Sequence, residues 1–191
     1  MFHMERKRTN IKNYLIFRVI DELLKKENHI RGIAKNLKTN HTGIIRIVNE
    51  LARENVLDYE QKGRNKVYFL KKTSESRAFV FMTENYKLVS LLKKDVILRN
   101  VIDKIQKEKK IKLAVLFGSY AKGLASQESD IDVYIETGNM KLKKSLEMIN
   151  SKLSIKIGVF DLKSLLIKEI IKNHVILKGV EEFYKKNEFF E

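Results

Sequence analysis

Two neighbouring segments decide the fold of the second half of this chain: residues 113–123 read LAVLFGSYAKG and residues 129–136 read SDIDVYIE. The apolar run Leu113–Phe117 predicts a short buried strand that ends at a Gly-Ser turn. In Ser129–Ile135 polar and apolar residues alternate, which predicts a second strand with Asp130 and Asp132 on one face. The sequence therefore predicts two carboxylates side by side.

Such a carboxylate pair needs a compensating charge. Two negative charges about 4 Å apart repel by about 4 kcal/mol when the effective dielectric constant is about 20. A shared proton, an arginine or a bound divalent cation offsets this repulsion. Oxygen ligands suit Mg²⁺, which completes its shell with water and substrate phosphates. The turn at Gly118-Ser119 begins a helix, where backbone N–H groups favour a phosphate. Together these features are typical of metal-assisted nucleotidyl transfer.

The order of these residues closely resembles the signature of the polymerase-beta-like nucleotidyltransferase superfamily. In particular it is similar to the minimal nucleotidyltransferases, some of which act as antitoxins, and the resemblance covers roughly residues 96–186. It implies Mg²⁺ as cofactor and a nucleoside triphosphate, with ATP as the expected one. The residues that it implies are Asp130 and Asp132 as catalytic metal ligands and Gly118, Ser119, Lys122 and Ser129 as nucleotide ligands.

A third carboxylate, which the resemblance implies on the strand Ser154–Phe160, is not evident in the sequence. Aligning the pair Asp161-Leu162 with the end of that strand in relatives places Gly158 at the expected position. Asp161 substitutes as a metal ligand only if the register shifts, and its alternative role is the N-cap of a helix over Lys163–Ile171. The sequence thus leaves open whether the site transfers a nucleotide or only binds one.

The N-terminal third has a different pattern, in which apolar residues recur every three or four positions. This spacing, with Thr39 as the N-cap of a third helix, predicts three helices and then two short strands joined by a basic turn where Gly63 and Asn65 suit a positive φ. The predicted elements that can be bounded from the pattern are Ile11–Leu24, Ile30–Leu37, Val56–Tyr59 and Val67–Leu70.

Residues 29–72 resemble the winged helix-turn-helix domains of prokaryotic transcription regulators. The resemblance implies double-stranded DNA as a partner, with the third helix in the major groove and the hairpin on the backbone or in the minor groove. Protein and RNA binding are the alternatives for such a domain. The residues expected to contact DNA are Thr39, Asn40, His41, Thr42 and Arg46 on the third helix and Lys62, Arg64 and Lys66 on the hairpin.

Composition narrows the possible chemistry. The 191-residue chain carries a formal charge of +15, of which +9 lies in residues 1–72 and only +2 in residues 111–191. This asymmetry favours a polyanionic partner for the first module. The chain has no cysteine, which excludes disulfides, thiolate nucleophiles and cysteine-ligated metals. No apolar run exceeds five residues, so we expect no membrane partner and a cytoplasmic location.

We therefore expect an α+β protein with a winged helix-turn-helix domain in residues 1–72, a helical connector in 73–95 and a nucleotidyltransferase domain with a mixed sheet in 96–191. The connector's predicted apolar stripe either joins two copies as a homodimer or packs on its own domains. It comprises Phe79, Met82, Tyr86, Val89 and Leu92, and a second stripe of Val96, Val101, Ile102 and Ile105 follows it.

Two functional hypotheses follow. The leading one is a DNA-binding transcriptional regulator whose second domain binds a nucleotide and Mg²⁺. The alternative is an active transferase that adds a nucleoside monophosphate to a partner protein or to a small molecule.

Overall fold

The computed structural model describes the backbone of residues 2–191 and the side chains of residues 14–191. The chain forms two compact units, one ending at Thr83 and including Phe190 and Glu191, the other comprising Glu84–Phe189. The elements of the first unit are α1 (Phe2–Lys25), β1 (Asn28–His29), α2 (Ile30–Asn36), α3 (His41–Arg53), β2 (Leu57–Lys62), β3 (Asn65–Leu70) and the first part of α4 (Ser74–Lys94).

A three-stranded antiparallel sheet with the order β1-β3-β2 supports the helices of the first unit. Both predicted strands exist and are longer than expected, because pairing continues to Lys62 opposite Asn65 and leaves only two residues in the turn. Gly63 has a φ of +61° there, as predicted. The prediction for Asn65 is wrong, since this residue is the first of β3 and has no positive φ.

Helix α3 buries one apolar face, formed by Ile44, Ile47, Val48 and Leu51. Its N-cap is Asn40 and not Thr39 as the sequence predicted. The Asn40 side-chain oxygen accepts a 2.6 Å hydrogen bond from the Gly43 N–H, which satisfies one of the unpaired donors of the first turn.

Helix α4 leaves part of its predicted apolar stripe exposed and buries another, partly polar face. Met82 and Val89 are 44% and 46% exposed, and Val96 beyond the helix is 60% exposed. The buried positions instead include three polar residues, Ser76, Thr83 and Glu84. Apolar periodicity could not identify this face because it is partly polar.

Glu84 accounts for part of that polar face. Its side chain is fully buried, and Oε1 accepts hydrogen bonds from the Tyr184 hydroxyl at 2.8 Å and from the Lys87 ammonium at 3.0 Å. The same ammonium forms an ion pair with Oε2 at 2.9 Å. Nε2 of His174 lies 3.3 Å from Oε1. Burial alone would raise the pKa of Glu84, but the charge of Lys87 and the hydrogen bond with His174 lower it to about 2. His174 thus has partners on both ring nitrogens within the second unit, Nε2 with Glu84 and Nδ1 with the Ile170 carbonyl at 2.9 Å.

The second unit is a four-stranded mixed sheet with helices on both faces. Its strand order is β6-β5-β4-β7, in which β5 and β6 are parallel and β4 is antiparallel to both of its neighbours. The elements are α5 (Leu98–Lys107), β4 (Ala114–Leu116), α6 (Gly118–Ala121), β5 (Ile131–Glu136), α7 (Met140–Glu147), β6 (Leu153–Gly158), α8 (Leu165–Lys172), β7 (Val175–Lys178) and α9 (Val180–Lys186). The expected α+β class with a mixed sheet is confirmed.

The two faces of this sheet carry different chemistry. One face joins the apolar core with α5 and α7, and from β5 it receives Ile131, Val133 and Ile135, as the alternation predicted. The opposite face carries Asp132 and Tyr134 of β5. At the Tyr134 end, rings stack edge to face in the sequence Tyr134, Phe160, Phe183, and close that part of the face. The Asp132 end stays partly open.

Candidate nucleotide-binding site

The Gly-Ser turn after β4 lies directly against the second aspartate. Phe117 donates its backbone N–H to the Asp132 carbonyl at 2.9 Å, so the strand end and the aspartate are adjacent. Gly118 has a φ of +68°, and a Cβ atom built on it would lie 2.5 Å from Oδ2 of Asp132. Two physical reasons therefore favour glycine at this position: the positive φ, and the lack of space for a Cβ atom beside the carboxylate.

Asp132 is half-buried in a negative environment. Burial raises the pKa of its carboxyl, and the charges of Asp130 and, more weakly, Glu169 act in the same direction. The charge of Lys156 and a hydrogen bond from the Ser154 hydroxyl oppose them. The net effect is a raised pKa of Asp132, which means that its ionised form is less stable in the free site than in water.

Asp130 lies just before β5 and is exposed. Its charge contributes to the raised pKa of Asp132, so the two predicted carboxylates are within electrostatic reach of each other. Ser129 also precedes the strand, which begins at Ile131 and not at Ser129 as predicted. Its hydroxyl accepts a 2.9 Å hydrogen bond from the Ser126 N–H and thus shapes the loop that presents Asp130.

Lys122 ends the single helical turn that starts at Gly118, since its N–H bonds to the Gly118 carbonyl at 3.2 Å. Its ammonium forms a 2.8 Å ion pair with Glu169 of α8. The predicted phosphate-binding cation is thus present beside the turn and is paired with a carboxylate that the sequence did not single out.

The position predicted for a third carboxylate is wrong. In the parallel pairing of β5 with β6, Asp132 lies opposite Ser154, whereas Gly158 lies opposite Glu136. At about 3.3 Å per residue, Gly158 is displaced from the Asp132 level by roughly 13 Å. A side chain at Gly158 would therefore lie too far along β6 to join a site at the level of Asp132.

Asp161 lies beyond β6, which ends at Gly158, and among the described side chains it does not gather with Asp130 and Asp132 into a three-residue metal site. Its side chain accepts a 2.9 Å hydrogen bond from the Lys163 N–H and forms a turn ahead of α8. The predicted N-cap role is also wrong, since Ser164 is the N-cap of α8.

The donor set suits one hard cation. Asp130 and Asp132 offer only oxygen atoms, and a bound cation would stabilise the charge of Asp132, whose pKa is raised by burial and then by the charge of Asp130. Within residues 14–191, whose side chains are described, no three carboxylate or imidazole groups gather into a metal site. Water and nucleotide phosphates would therefore have to complete the shell, as they commonly do around Mg²⁺.

Residues 99–188 match the family Polymerase beta, Nucleotidyltransferase. The chain belongs to the polymerase beta nucleotidyltransferase family. Curated relatives from Methanocaldococcus jannaschii are named as protein adenylyltransferases. One is 37% identical over 84 residues, which is 41% of this chain and 80% of the relative. Another is 32% identical over 98 residues, which is 49% of this chain and 89% of the relative. These matches favour the alternative hypothesis of nucleotidyl transfer over DNA-binding regulation.

Sequence reasoning missed three polar residues around Asp132, namely Ser154, Lys156 and Glu169. The signal for the first two was available, because the buried Ile155 fixes which face of β6 its neighbours occupy. The register between the two parallel strands was not available, since it depends on the intervening helix and loops. Glu169 was hidden on a helix whose distance to the turn no local pattern reveals.

The residues predicted to contact DNA lie on the surface of the first unit, with the exception of the half-buried Thr39. Lys62 is paired with Glu27 and lies 3.5 Å from Glu60. The Lys66 ammonium sits 4.0 Å from the centre of the Tyr59 ring. The exposed residues among those predicted to contact DNA are Asn40, His41, Thr42, Arg46, Lys62, Arg64 and Lys66.

Over the helices that the structure describes, none has the length and apolar character needed to cross a membrane.

Proposed function

We propose that this chain transfers the AMP moiety of ATP to a hydroxyl group of a partner protein. The observation that carries the proposal is the position of Asp132, whose carboxylate lies against the Gly118 turn while Asp130 acts on it from the preceding loop. The names of the relatives support the choice of adenylyl transfer to a protein.

In the proposed reaction, the acceptor oxygen forms a bond to the α-phosphorus of ATP. The bond between this phosphorus and the bridging oxygen to the β-phosphate breaks, pyrophosphate leaves, and the hydroxyl proton passes to solvent or a nearby base. When bound, Mg²⁺ would neutralise phosphate charge and favour the attack.

The chain's own residues hold the substrate in this proposal. The backbone at Gly118 and Ser119 cradles the triphosphate, and Lys122 exchanges its ion pair with Glu169 for a phosphate oxygen. Asp130 and Asp132 would be the protein ligands of the cation. Ser154 orients the Asp132 carboxylate through its hydroxyl.

The test compares the wild type with Asp130→Asn and Asp132→Asn, using ATP labelled at the α-phosphate, Mg²⁺ and the proteins encoded beside this one. We expect label on a protein acceptor with the wild type and at least a hundredfold less with either variant. Lys144→Gln serves as a control because Lys144 lies on α7, which packs on the opposite face of the sheet. Equal labelling by Asp132→Asn and the wild type would exclude this site as the source of the activity.

We further propose that the first unit is a winged helix-turn-helix domain that binds double-stranded DNA. The specific support is the exposure of Arg46 on α3 and of Arg64 at the tip of the hairpin, in the third of the chain that carries a charge of +9. Neutralising about six phosphates would lower the affinity roughly a thousandfold between 50 and 200 mM salt.

The test for DNA binding measures affinity for the DNA upstream of the chain's own reading frame. Arg64→Ala should weaken binding to all sequences and flatten the salt dependence, whereas Lys93→Ala, an exposed change on α4, should leave both unchanged. Binding that does not vary with salt would contradict the proposal. A homodimer through α4 and a cytoplasmic location remain predictions from the sequence.

A further inference from the structure

A single cationic side chain of β6 stands on the Asp132 face of the sheet. Strand pairing places Ser154 opposite Asp132 and Lys156 opposite Tyr134. Because side chains alternate along a strand, both point to the same face as Asp132, while the buried Ile155 between them points into the apolar core. Beside Asp132, this strand therefore offers a hydroxyl and an ammonium group and no carboxylate.

Lys156 lies diagonally across the strand pair from Asp132, two residues beyond the Asp132 partner Ser154. On the shared face of two neighbouring strands, this spacing brings a long side chain within reach of the carboxylate. The side chain is exposed and β6 is the outermost strand of its sheet, which leaves the ammonium able to meet a ligand at that edge of the face. The local charge of two carboxylates and one ammonium is −1, which one divalent cation is enough to reverse.

We propose that Lys156 occupies the place of a second divalent cation, so that the site binds one Mg²⁺ with each nucleotide and the ammonium contacts the nucleotide phosphates. This inference rests on the proposed nucleotide site. It goes further by stating how many metal ions the site binds and by naming Lys156 as the residue that limits this number. A second divalent cation beside Asp132 would lie next to a positive charge and would lack a third carboxylate ligand.

The experiment counts Mn²⁺, a paramagnetic substitute for Mg²⁺, bound per chain in the presence of saturating α,β-methylene-ATP, an analogue that cannot release pyrophosphate. Electron paramagnetic resonance after ultrafiltration separates protein-bound Mn²⁺ from Mn²⁺ in free nucleotide. We expect one bound ion for the wild type and two for Lys156→Asp, which replaces the ammonium by a further ligand. Lys144→Asp makes the same charge change on α7 and should stay at one.

A second variant tests the ammonium itself. Lys156→Met adds no ligand, so the count should stay at one, while the affinity for the analogue should fall about tenfold through loss of a charged hydrogen bond. Two Mn²⁺ ions in the wild type, one in Lys156→Asp, or an unchanged affinity in Lys156→Met would each overturn the proposal.

The outcomes also separate this inference from the proposed activity. Two Mn²⁺ ions together with AMP transfer would overturn only the inference. One Mn²⁺ ion that becomes two in Lys156→Asp, without AMP transfer by the wild type, would support the inference and contradict the activity.

Discussion

Replacing Gly118 by alanine should destabilise the protein in two ways, through the positive φ of the backbone and through a contact with Asp132. With a φ of +68°, an added Cβ costs about 1 kcal/mol in backbone conformation. The Cβ would also meet Oδ2 of Asp132 at 2.5 Å. The contacted atom is the end of a short side chain, so the carboxylate turns away from its preferred rotamer at a cost of about 1 kcal/mol. We expect Gly118→Ala to lower the free energy of unfolding by about 2 kcal/mol.

Gly123 provides the matched control. Its φ is +70°, and a Cβ built there meets no heavy atom within 4 Å. Gly123→Ala should therefore carry the backbone cost alone, about 1 kcal/mol. Urea unfolding at pH 7 measures both values, and the difference of about 1 kcal/mol reports the contact with Asp132.

The same pair of variants links stability to ligand binding. Because Gly118→Ala moves a proposed metal ligand, Mg²⁺-dependent binding of an ATP analogue should weaken at least about tenfold, which calorimetry measures. The effect of Gly123→Ala should be several-fold smaller. Equal loss of stability in the two variants, or equal loss of binding, would refute the contact between Gly118 and Asp132 as the reason for glycine.

Three further changes test other parts of the structure. Asp132→Asn should raise the urea midpoint of the free protein at pH 7. Because the pKa of Asp132 is raised in the folded state, its protonated carboxyl favours folding at low pH, and this stabilisation is lost as the carboxyl ionises. The difference between variant and wild type should therefore vanish in acid. Glu84→Gln should cost about 3 kcal/mol at pH 7, since it removes the buried negative charge that pairs with Lys87. The pKa of Glu84 is about 2 in the folded state, so its carboxylate stabilises the fold fully above its ordinary pKa and loses this stabilising contribution as the pH falls towards 2. The unfolding curves of variant and wild type should therefore converge near pH 2. Asn40→Ala should lower the stability of the first unit by about 1 kcal/mol in thermal unfolding, and an unchanged midpoint would contradict its role as the cap of α3.

The sequence predicts local structure well where a residue type is needed for a single physical reason. The alternation through Ile131, Val133 and Ile135 identifies the buried face of β5, and the Gly-Ser turn at Gly118 marks the end of β4. These signals are local, so the backbone conformation that they specify does not depend on distant contacts.

Features that depend on distant contacts could not be predicted. The buried face of α4 contains Glu84, whose partners Tyr184 and His174 come from the other end of the chain. A charged residue inside a helix ordinarily indicates solvent, and only these contacts reverse that rule. The level of Lys156 relative to Asp132 likewise follows from strand pairing across a helical connection.

Labelling from ATP tests the central claim most directly. The full chain, Mg²⁺ and the proteins encoded beside it are incubated in parallel with ATP labelled at the α-phosphate and ATP labelled at the γ-phosphate. Adenylyl transfer through Asp130 and Asp132 predicts a labelled protein with the α-label alone, lost in Asp132→Asn. Equal labelling from the γ-phosphate, or α-labelling that persists in Asp132→Asn, would contradict the account.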